Sequence, residues 1–203
     1  AASALQRGLG SQDQVALQTA ATQLEQAARS ARERSDGPVW GALTHVPALG
    51  DDAAGLRALS LSLDVVASGG VGPLVESAGL LDEVMVGGRV DVEKVRALAR
   101  PVTEAHAAFD EGAALVEDLD SDGYAGSLRS SFDDYVEFVT EADRGLGSAA
   151  TATRLLPGVV GGDGPRDYLL VFQNNAEVRA AGGLAASWAR VHAVSGVLTM
   201  EEQ

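Results

Sequence analysis

The sequence contains no cysteine, so it has neither a disulfide framework, nor a thiolate metal site, nor a cysteine nucleophile. Aromatic residues make up only 4% of its 203 residues, whereas hydrophobic residues make up 46%. The apolar content is therefore mostly alanine, leucine and valine, which is typical of packed helices rather than β-sandwiches. The small number of aromatic residues among many apolar ones therefore favours a helical fold class.

Positive charge is also scarce. The chain has 15 Lys and Arg against 29 Asp and Glu, and its formal net charge at pH 7 is −14. Because a sequence-independent grip on nucleic acid or anionic lipid needs clustered Lys and Arg, we expect no nucleic acid partner. No uninterrupted apolar run approaches the ~18 to 20 residues of a transmembrane helix, so we expect no membrane span within this chain.

Apolar residues recur at helical spacing over most of the chain. The two longest stripes are Val95, Val102, Phe109 and Val116, then Leu128, Phe132, Tyr135, Val139, Ala142, Leu146 and Ala149. Asp91 can cap the first of these helices, and Pro101 is expected to kink it. Upstream, a helix is predicted to end at Asp36-Gly37-Pro38, and the segment 69–73 is expected to interrupt another. Such helices bury their stripes most economically in an antiparallel bundle.

The pattern changes after Pro157-Gly158, which is predicted to end the last helix. Strands are predicted at Tyr168–Phe172, at Leu184–Val194 and, after a turn at Ser195-Gly196, from Val197 to Met200. Three strands cannot form an independent domain of any size. We therefore predict a mainly helical protein. Its antiparallel bundle covers residues 1–157, and the first strands of an α/β or α+β domain, incomplete in this chain, cover residues 158–203.

One acidic turn resembles the first half of a calcium-binding loop. Asp118, Asp120 and Asp122 alternate ahead of a glycine, as calcium-ligating oxygens do. The twelfth position, where a bidentate Glu should complete the site, is Arg129. A calcium loop and a solvated turn between helices are the two interpretations, and no other cofactor is expected. The three histidines, His45, His106 and His192, have no metal-ligand spacing.

A polar stretch, Gln173 to Gly183, directly follows the first predicted strand. Its proposed ligand-binding residues are Gln173, Asn174, Asn175, Glu177, Arg179, Gly182 and Gly183. In this interpretation Arg179 is a forked donor to an anion or sugar, the asparagines orient the ligand, and the two glycines permit close backbone approach. In the alternative, these groups satisfy one another and the backbone of a loop. No nucleophile elbow, Walker loop or dinucleotide fingerprint is present, so we expect no catalysis from this chain alone.

The segment LPGVVGGDGPRDYLLVFQNNAEVRAAGG, residues 156–183, resembles the signature of the Domain of Unknown Function 4012 family, LPGLLG-x-DGPR-x-YL-x-x-FQNNAELRATGGF. The segment 36–52 is similar to a second landmark of that family. The chain departs from the signature at Ala181, where Thr is usual, and at 184–188. The resemblance implies an actinobacterial type of protein outside the cytoplasm, tethered to the cytoplasmic membrane by a helix upstream of this chain, with further residues after Gln203. It also implies a genomic setting near envelope or exopolysaccharide genes.

Three functional hypotheses follow. The first is a scaffolding or binding role in cell-envelope or exopolysaccharide assembly, with an envelope glycan, a lipid-linked precursor or an envelope protein as partner. The second is a glycopolymer phosphotransferase analogous to the LytR-CpsA-Psr enzymes, in which Arg179 and Arg166 hold a lipid-linked pyrophosphate. The third is a small-molecule sensor, which would need an apolar pocket between helices. The sequence does not indicate an oligomeric state.

Overall fold

The computed structural model describes residues 14–35, 37, 50–179 and 182–202, which form helices followed by an antiparallel sheet. The helical elements are α1 (Gln14–Ser35), α2 (Gly50–Val65), a π-helical turn (Val66–Gly70), α3 (Val71–Leu81), α4 (Val92–Ala114) and α5 (Gly126–Val159). The strands are β1 (Met85–Val86), β2 (Arg89–Val90), β3 (Arg166–Arg179), β4 (Gly182–Val194) and β5 (Val197–Glu202). The predicted class, mainly helical with strands after the helices, is confirmed.

The helix α1 ends directly before the predicted stop at Asp36-Gly37-Pro38. Its buried apolar side chains are Leu17, Ala20, Ala21 and Ala28, which recur at helical spacing along one face. In its last turn the Ser35 hydroxyl donates a hydrogen bond to the carbonyl oxygen of Ala31, at 3.0 Å. The sequence predicts that Pro38 begins a short helix that holds Trp40 and Leu43, and this segment lies outside the described residues.

The predicted break at 69–73 is wrong, because the chain stays helical there through the π-helical turn between α2 and α3. The glycines of that turn allow close packing against α4. A Cβ placed on Gly70 would lie 2.8 Å from the ring of Phe109, and one placed on Gly69 would lie 3.0 Å from the Cβ of Ala108. These glycines therefore serve contact between helices rather than chain reversal.

The two longest helices follow their predicted stripes. Asp91 caps α4, since its Oδ1 accepts hydrogen bonds from the backbone amides of Glu93 at 3.0 Å and Lys94 at 3.2 Å. Pro101 lies inside α4. The helix α5 includes Pro157 and ends at Val159, one residue after the predicted stop at Pro157-Gly158. A proline this near a helix end removes a single backbone hydrogen bond, which the last turn tolerates.

The helical core is a cluster of buried side chains from three helical elements and the turn that follows α4: Val66, Phe109, Ala113, Val116, Phe132 and Val139. A polar contact borders the cluster. The Ser62 hydroxyl donates to the carbonyl oxygen of Gly112 at 2.6 Å, and its oxygen lies 2.8 Å from the Tyr135 hydroxyl. Burial raises the pKa of Tyr135 above its ordinary value, while the hydrogen bond with Ser62 opposes the shift. Every polar group of this contact is thus satisfied within the core.

All three predicted strands are present, and the sheet has the order β3-β4-β5. The strand β3 is longer than predicted, because it continues through the polar stretch to Arg179. The hairpin of β1 and β2 was not predicted. In both two-residue turns the central residues have positive φ, namely Gly87 and Gly88 in one and Ser195 and Gly196 in the other, as type I′ turns require.

Two compact units are present: Ala1–Gly79 with Arg100–Thr151, and Leu80–Ala99 with Ala152–Gln203. Hereafter these are the helical unit and the sheet unit. Inside the sheet unit, the amide of Val90 donates a hydrogen bond to the carbonyl oxygen of Gly196 at 2.9 Å. The amide of Gly196 donates a hydrogen bond to the carbonyl oxygen of Val160, also at 2.9 Å. The domain boundary predicted between residues 157 and 158 stays a prediction.

One helix among the described residues, Gly50–Leu81, is long and apolar enough to cross a membrane by length and composition, since its most apolar stretch has a mean hydropathy of 1.5. The sequence showed no uninterrupted apolar run because polar residues are spaced along this helix. Two of them make core-type contacts: Ser62 is fully buried, and Asp64 pairs with Arg32 at 2.7 Å. A core helix of a soluble protein passes the same length and hydropathy criteria.

Candidate functional site

One face of the sheet collects charged and aromatic side chains. The strands pair in register as Asp167 with His192 and Thr199, as Leu169 with Arg190 and Glu201, and as Val171 with Trp188. Directly paired residues share a face, and side chains alternate between faces along each strand. The eight residues therefore lie on one face, which we call the Trp188 face.

An ion-paired cluster crosses two strands of this face. The Oδ1 of Asp167 lies 2.8 Å from Nδ1 of His192 and accepts a hydrogen bond from Nε of Arg190 at 3.2 Å. Nη2 of Arg190 lies 3.2 Å from the second carboxylate oxygen. This two-point contact between the carboxylate and the guanidinium group fixes the orientation of both planar groups.

The contacts within this cluster shift the pKa values of Asp167 and Arg190. Hydrogen bonds from Arg190 and then His192 lower the pKa of Asp167 below its ordinary value of 3.8. The Asp167 hydrogen bond raises the pKa of Arg190, and the nearby charge of Glu201 contributes in the same direction. Both groups therefore stay charged over the physiological pH range.

Exposed apolar side chains adjoin the charged cluster on the same face. Trp188 is 44% exposed and Leu169 is 66% exposed. Together with Asp167 and Arg190, and with Tyr168, which lies between Asp167 and Leu169 and alternates to the opposite face, they line an open cleft of about 260 Å³. An aromatic surface beside planar hydrogen-bonding groups suits a ligand with one apolar face and polar edges.

The opposite face of the sheet is partly covered within the sheet unit. Ala189 and Ala193 are buried, and the Tyr168 hydroxyl donates to the carbonyl oxygen of Val159 at 2.7 Å. Farther along, Leu170 and Phe172 are about half exposed, at 44% and 49%. The sheet therefore combines one packed region with a wide exposed apolar surface.

The predicted end of the first strand at Phe172 is wrong, because most of the stretch from Gln173 to Gly183 belongs to β3 and β4. Strand geometry persists there because the backbone pairs across the hairpin, with Asn174 opposite Leu184 and Arg179 opposite Gly182, and absorbs the irregular residues in register shifts. The side chains of Asn174, Asn175, Glu177 and Arg179, and the surroundings of Gly182 and Gly183, lie outside the described part of the chain. Their ligand-binding role stays a prediction.

Two other predicted ligand residues lie on β3. Gln173 is exposed and adjoins the register shift after Phe172. Arg166 is exposed, pairs in register with Ala193, and lies on the face opposite to Asp167. The structure therefore does not bring Arg166 to the Trp188 face.

In the acidic turn that resembles half of a calcium loop, an arginine side chain pairs with one of the aspartates. Arg129 forms an ion pair with Asp122, and the backbone amide of Asp122 donates to Oδ1 of Asp120 at 2.9 Å. Among the described residues no group of three His, Cys, Asp or Glu is arranged to hold a metal ion, and Asp118 joins no such group. The guanidinium group of Arg129 is thus paired with a carboxylate that calcium would need as a ligand. This pairing favours the solvated-turn interpretation.

The functional potential of Asp167, Trp188, Arg190 and His192 was not predicted. The sequence predicts two strands on either side of residues 173–183 but not where the chain reverses between them, so it gives no register that would bring Asp167 opposite His192. Thr199 continues this row, but its hydroxyl donates to the backbone carbonyl oxygen of His192 at 3.4 Å rather than to the imidazole. The row therefore lacks the nucleophile–base contact of a catalytic triad.

We expect the carboxyl carbon of Asp167 to titrate below pH 3.8 in a carbon NMR experiment. Because the folded pKa is lowered, the stabilising contribution of this carboxylate is fully present above its unfolded pKa. It is lost as the pH falls through the folded pKa. Arg190→Gln should move the midpoint upward. His192→Gln should move it less, because Arg190 is the larger cause. A midpoint that does not move in Arg190→Gln would contradict the assignment.

Comparison with known proteins identifies one segment. Residues 163–203 match a family model described as Protein of unknown function (DUF4012). No curated protein and no solved structure matches the chain. The matched segment contains β3, β4 and β5 and thus the whole Trp188 face. The resemblance is confirmed over these residues, whereas the landmark at 36–52, the membrane anchor and the actinobacterial type stay predictions.

Proposed function

Because the segment that bears the Trp188 face belongs to the DUF4012 family, whose description carries no activity, we propose a function from the geometry of that face. The protein binds a glycan there, and this binding serves a scaffolding role in cell-envelope or exopolysaccharide assembly. The observation that carries the proposal is the exposed indole of Trp188 beside the Asp167–Arg190 pair.

Sugar rings match this combination of groups. A pyranose presents C–H groups on one face, which pack against an aromatic ring, and hydroxyls at its edge. Those hydroxyls both donate and accept, so they can bond to the carboxylate of Asp167 and the guanidinium group of Arg190 together. Because the two groups hold each other in place, little side-chain freedom is lost on binding.

The setting of the proposal comes from the family resemblance. We place the protein outside the cytoplasm, tethered to the cytoplasmic membrane by a segment upstream of this chain. In this setting the helical unit acts as a spacer and the sheet unit presents the glycan-binding face. The composition supports tethering through a separate segment. A chain with a net charge of −14 is repelled by anionic lipid and would not bind the membrane surface directly.

A binding role is favoured over phosphoryl transfer. The phosphotransferase hypothesis needs arginines that converge on a pyrophosphate. Arg166 lies on the opposite face from Arg190, and Arg190 is already paired with Asp167. No contact among the described residues supplies an unpaired cationic cradle on the Trp188 face.

Tryptophan fluorescence tests the proposal. In a Trp40→Phe background Trp188 is the remaining tryptophan of the chain, and its emission should change when envelope polysaccharide fractions are added. Trp188→Ala should weaken binding, measured by calorimetry, by about tenfold or more, because the stacked ring is lost. Trp188→Phe should lose less, since it keeps an aromatic surface.

The matched control is Phe138→Ala, which removes an aromatic side chain of comparable exposure, 57%, from the helical unit. It should bind as the wild type does. Equal binding by wild type and Trp188→Ala, or no binding by any fraction, would overturn the proposal.

A further inference from the structure

The charges of the Trp188 face narrow the class of its ligand. Two carboxylates, Asp167 on β3 and Glu201 on β5, flank the guanidinium group of Arg190 on β4. Arg190 is held by the first at 3.2 Å and interacts electrostatically with the second. His192, the other titratable group in contact, lies against Asp167 at 2.8 Å. The two carboxylates and the one guanidinium group therefore give the site more negative than positive charge.

An anionic sugar would meet an unfavourable field at this site. Its carboxylate or phosphate would approach Arg190 only by competing with Asp167 for the same donors, and would then lie near two like charges. The net charge of −14 adds long-range repulsion, which salt screens. An uncharged sugar avoids both costs, because hydroxyls bond to a paired carboxylate and guanidinium group without separating them.

The shape of the site indicates a segment of a polysaccharide chain rather than a single enclosed sugar. The cleft of about 260 Å³ is open, and it lies on a sheet whose neighbouring positions, Leu169 and Val171, are also exposed. A stacked sugar unit can therefore extend along the face on both sides. The strands provide an open, twisted surface along which an extended chain can bind.

From this charge arrangement we infer that the ligand of the Trp188 face is an uncharged polysaccharide, and this inference rests on the proposed glycan-binding function. Selectivity comes from the carboxylates of Asp167 and Glu201, which deter uronate- and phosphate-bearing chains. The neutral ligand is recognised by stacking on Trp188 and by hydroxyl hydrogen bonds to the Asp167–Arg190 pair.

A matched pair of ligands tests the inference. The neutral probe is a β-1,4-linked glucose hexasaccharide, and the anionic probe is the β-1,4-linked glucuronate hexasaccharide, which differs only in its carboxylates. Calorimetry at pH 8 in low and high sodium chloride gives both affinities. The neutral probe should bind with an affinity that salt changes less than about twofold. The uronate should bind about tenfold more weakly or worse at low salt, and the gap should narrow at high salt.

A charge variant links this discrimination to the site. Glu201→Gln should narrow the gap at low salt by strengthening uronate binding. The control Glu137→Gln changes the net charge equally but lies in the helical unit, and should leave the gap unchanged. Uronate binding as tight as neutral binding, or tighter and weakened by salt, would overturn the inference while leaving glycan binding intact. No Trp188-dependent binding of either probe would overturn the proposed function as well.

Discussion

Replacing Phe132 with alanine is expected to reduce the free energy of unfolding of the helical unit by about 3–5 kcal/mol. Phe132 is 1% exposed and belongs to the buried cluster shared with α4 and the π-helical turn. Its ring meets that of Tyr124 edge-on, with centroids 5.2 Å apart. Truncation would remove buried apolar surface and leave a cavity that rigid neighbouring helices cannot fill. Urea unfolding followed by helical circular dichroism measures the loss.

Phe138→Ala is the matched control, because it makes the same truncation on the same helix at a position that is 57% exposed. This ring keeps one edge contact, with Phe109 at 6.4 Å. We therefore expect a loss of about 1 kcal/mol or less. Similar losses in the two variants would mean that Phe132 does not organise the core.

The helical stripes were predictable because helical periodicity is a local signal. The predicted face from Val95 to Val116, which covers α4 and the turn after it, is buried throughout. On α5, Phe132 and Val139 are buried and Tyr135 is partly buried against the same cluster. Helices pack through apolar side chains that recur at helical spacing on one face. The sequence shows this same spacing, so the local pattern and the tertiary structure agree.

The failed predictions depend on contacts that are distant in sequence. Gly69 and Gly70 look like a chain break, yet they allow α4 to approach a continuous helix. The polar stretch after Phe172 looks like a loop, but pairing with β4 keeps it in a strand. In both cases a tertiary contact overrides the local preference.

The candidate site was hidden for a related reason. The turn at Ser195-Gly196 was predicted, and it alone determines that His192 lies opposite Thr199. The pairing of Asp167 with His192 depends instead on where the β3–β4 hairpin reverses, and the sequence does not show at which residues between 173 and 183 this happens. Since a shift of one residue moves every side chain to the other face, the Trp188 face could not be assembled from the sequence.

The turn between β4 and β5 also controls the stability of the sheet unit, and Gly196→Ala is expected to destabilise that unit by roughly 3–4 kcal/mol. Gly196 has a φ of +84°, which costs an alanine about 1–2 kcal/mol. The added Cβ would overlap the carbonyl oxygen of Val90, a backbone atom that cannot rotate away. Relieving the overlap would break the hydrogen bonds of Gly196 with Val90 and Val160, each 2.9 Å long and each contributing about 1 kcal/mol.

Gly87→Ala separates the steric overlap from the backbone strain, because Gly87 has a φ of +58° in the equivalent turn of the β1–β2 hairpin with open space around its Cα. This variant should cost only the strain of about 1–2 kcal/mol. Hydrogen exchange of the β4 and β5 amides measures both free energies, and Gly196→Ala should raise exchange rates by at least about tenfold more than Gly87→Ala. Equal effects would show that β2 and the end of α5 do not hold this turn. In that case the sheet would fold without the contacts that attach it to the rest of its unit.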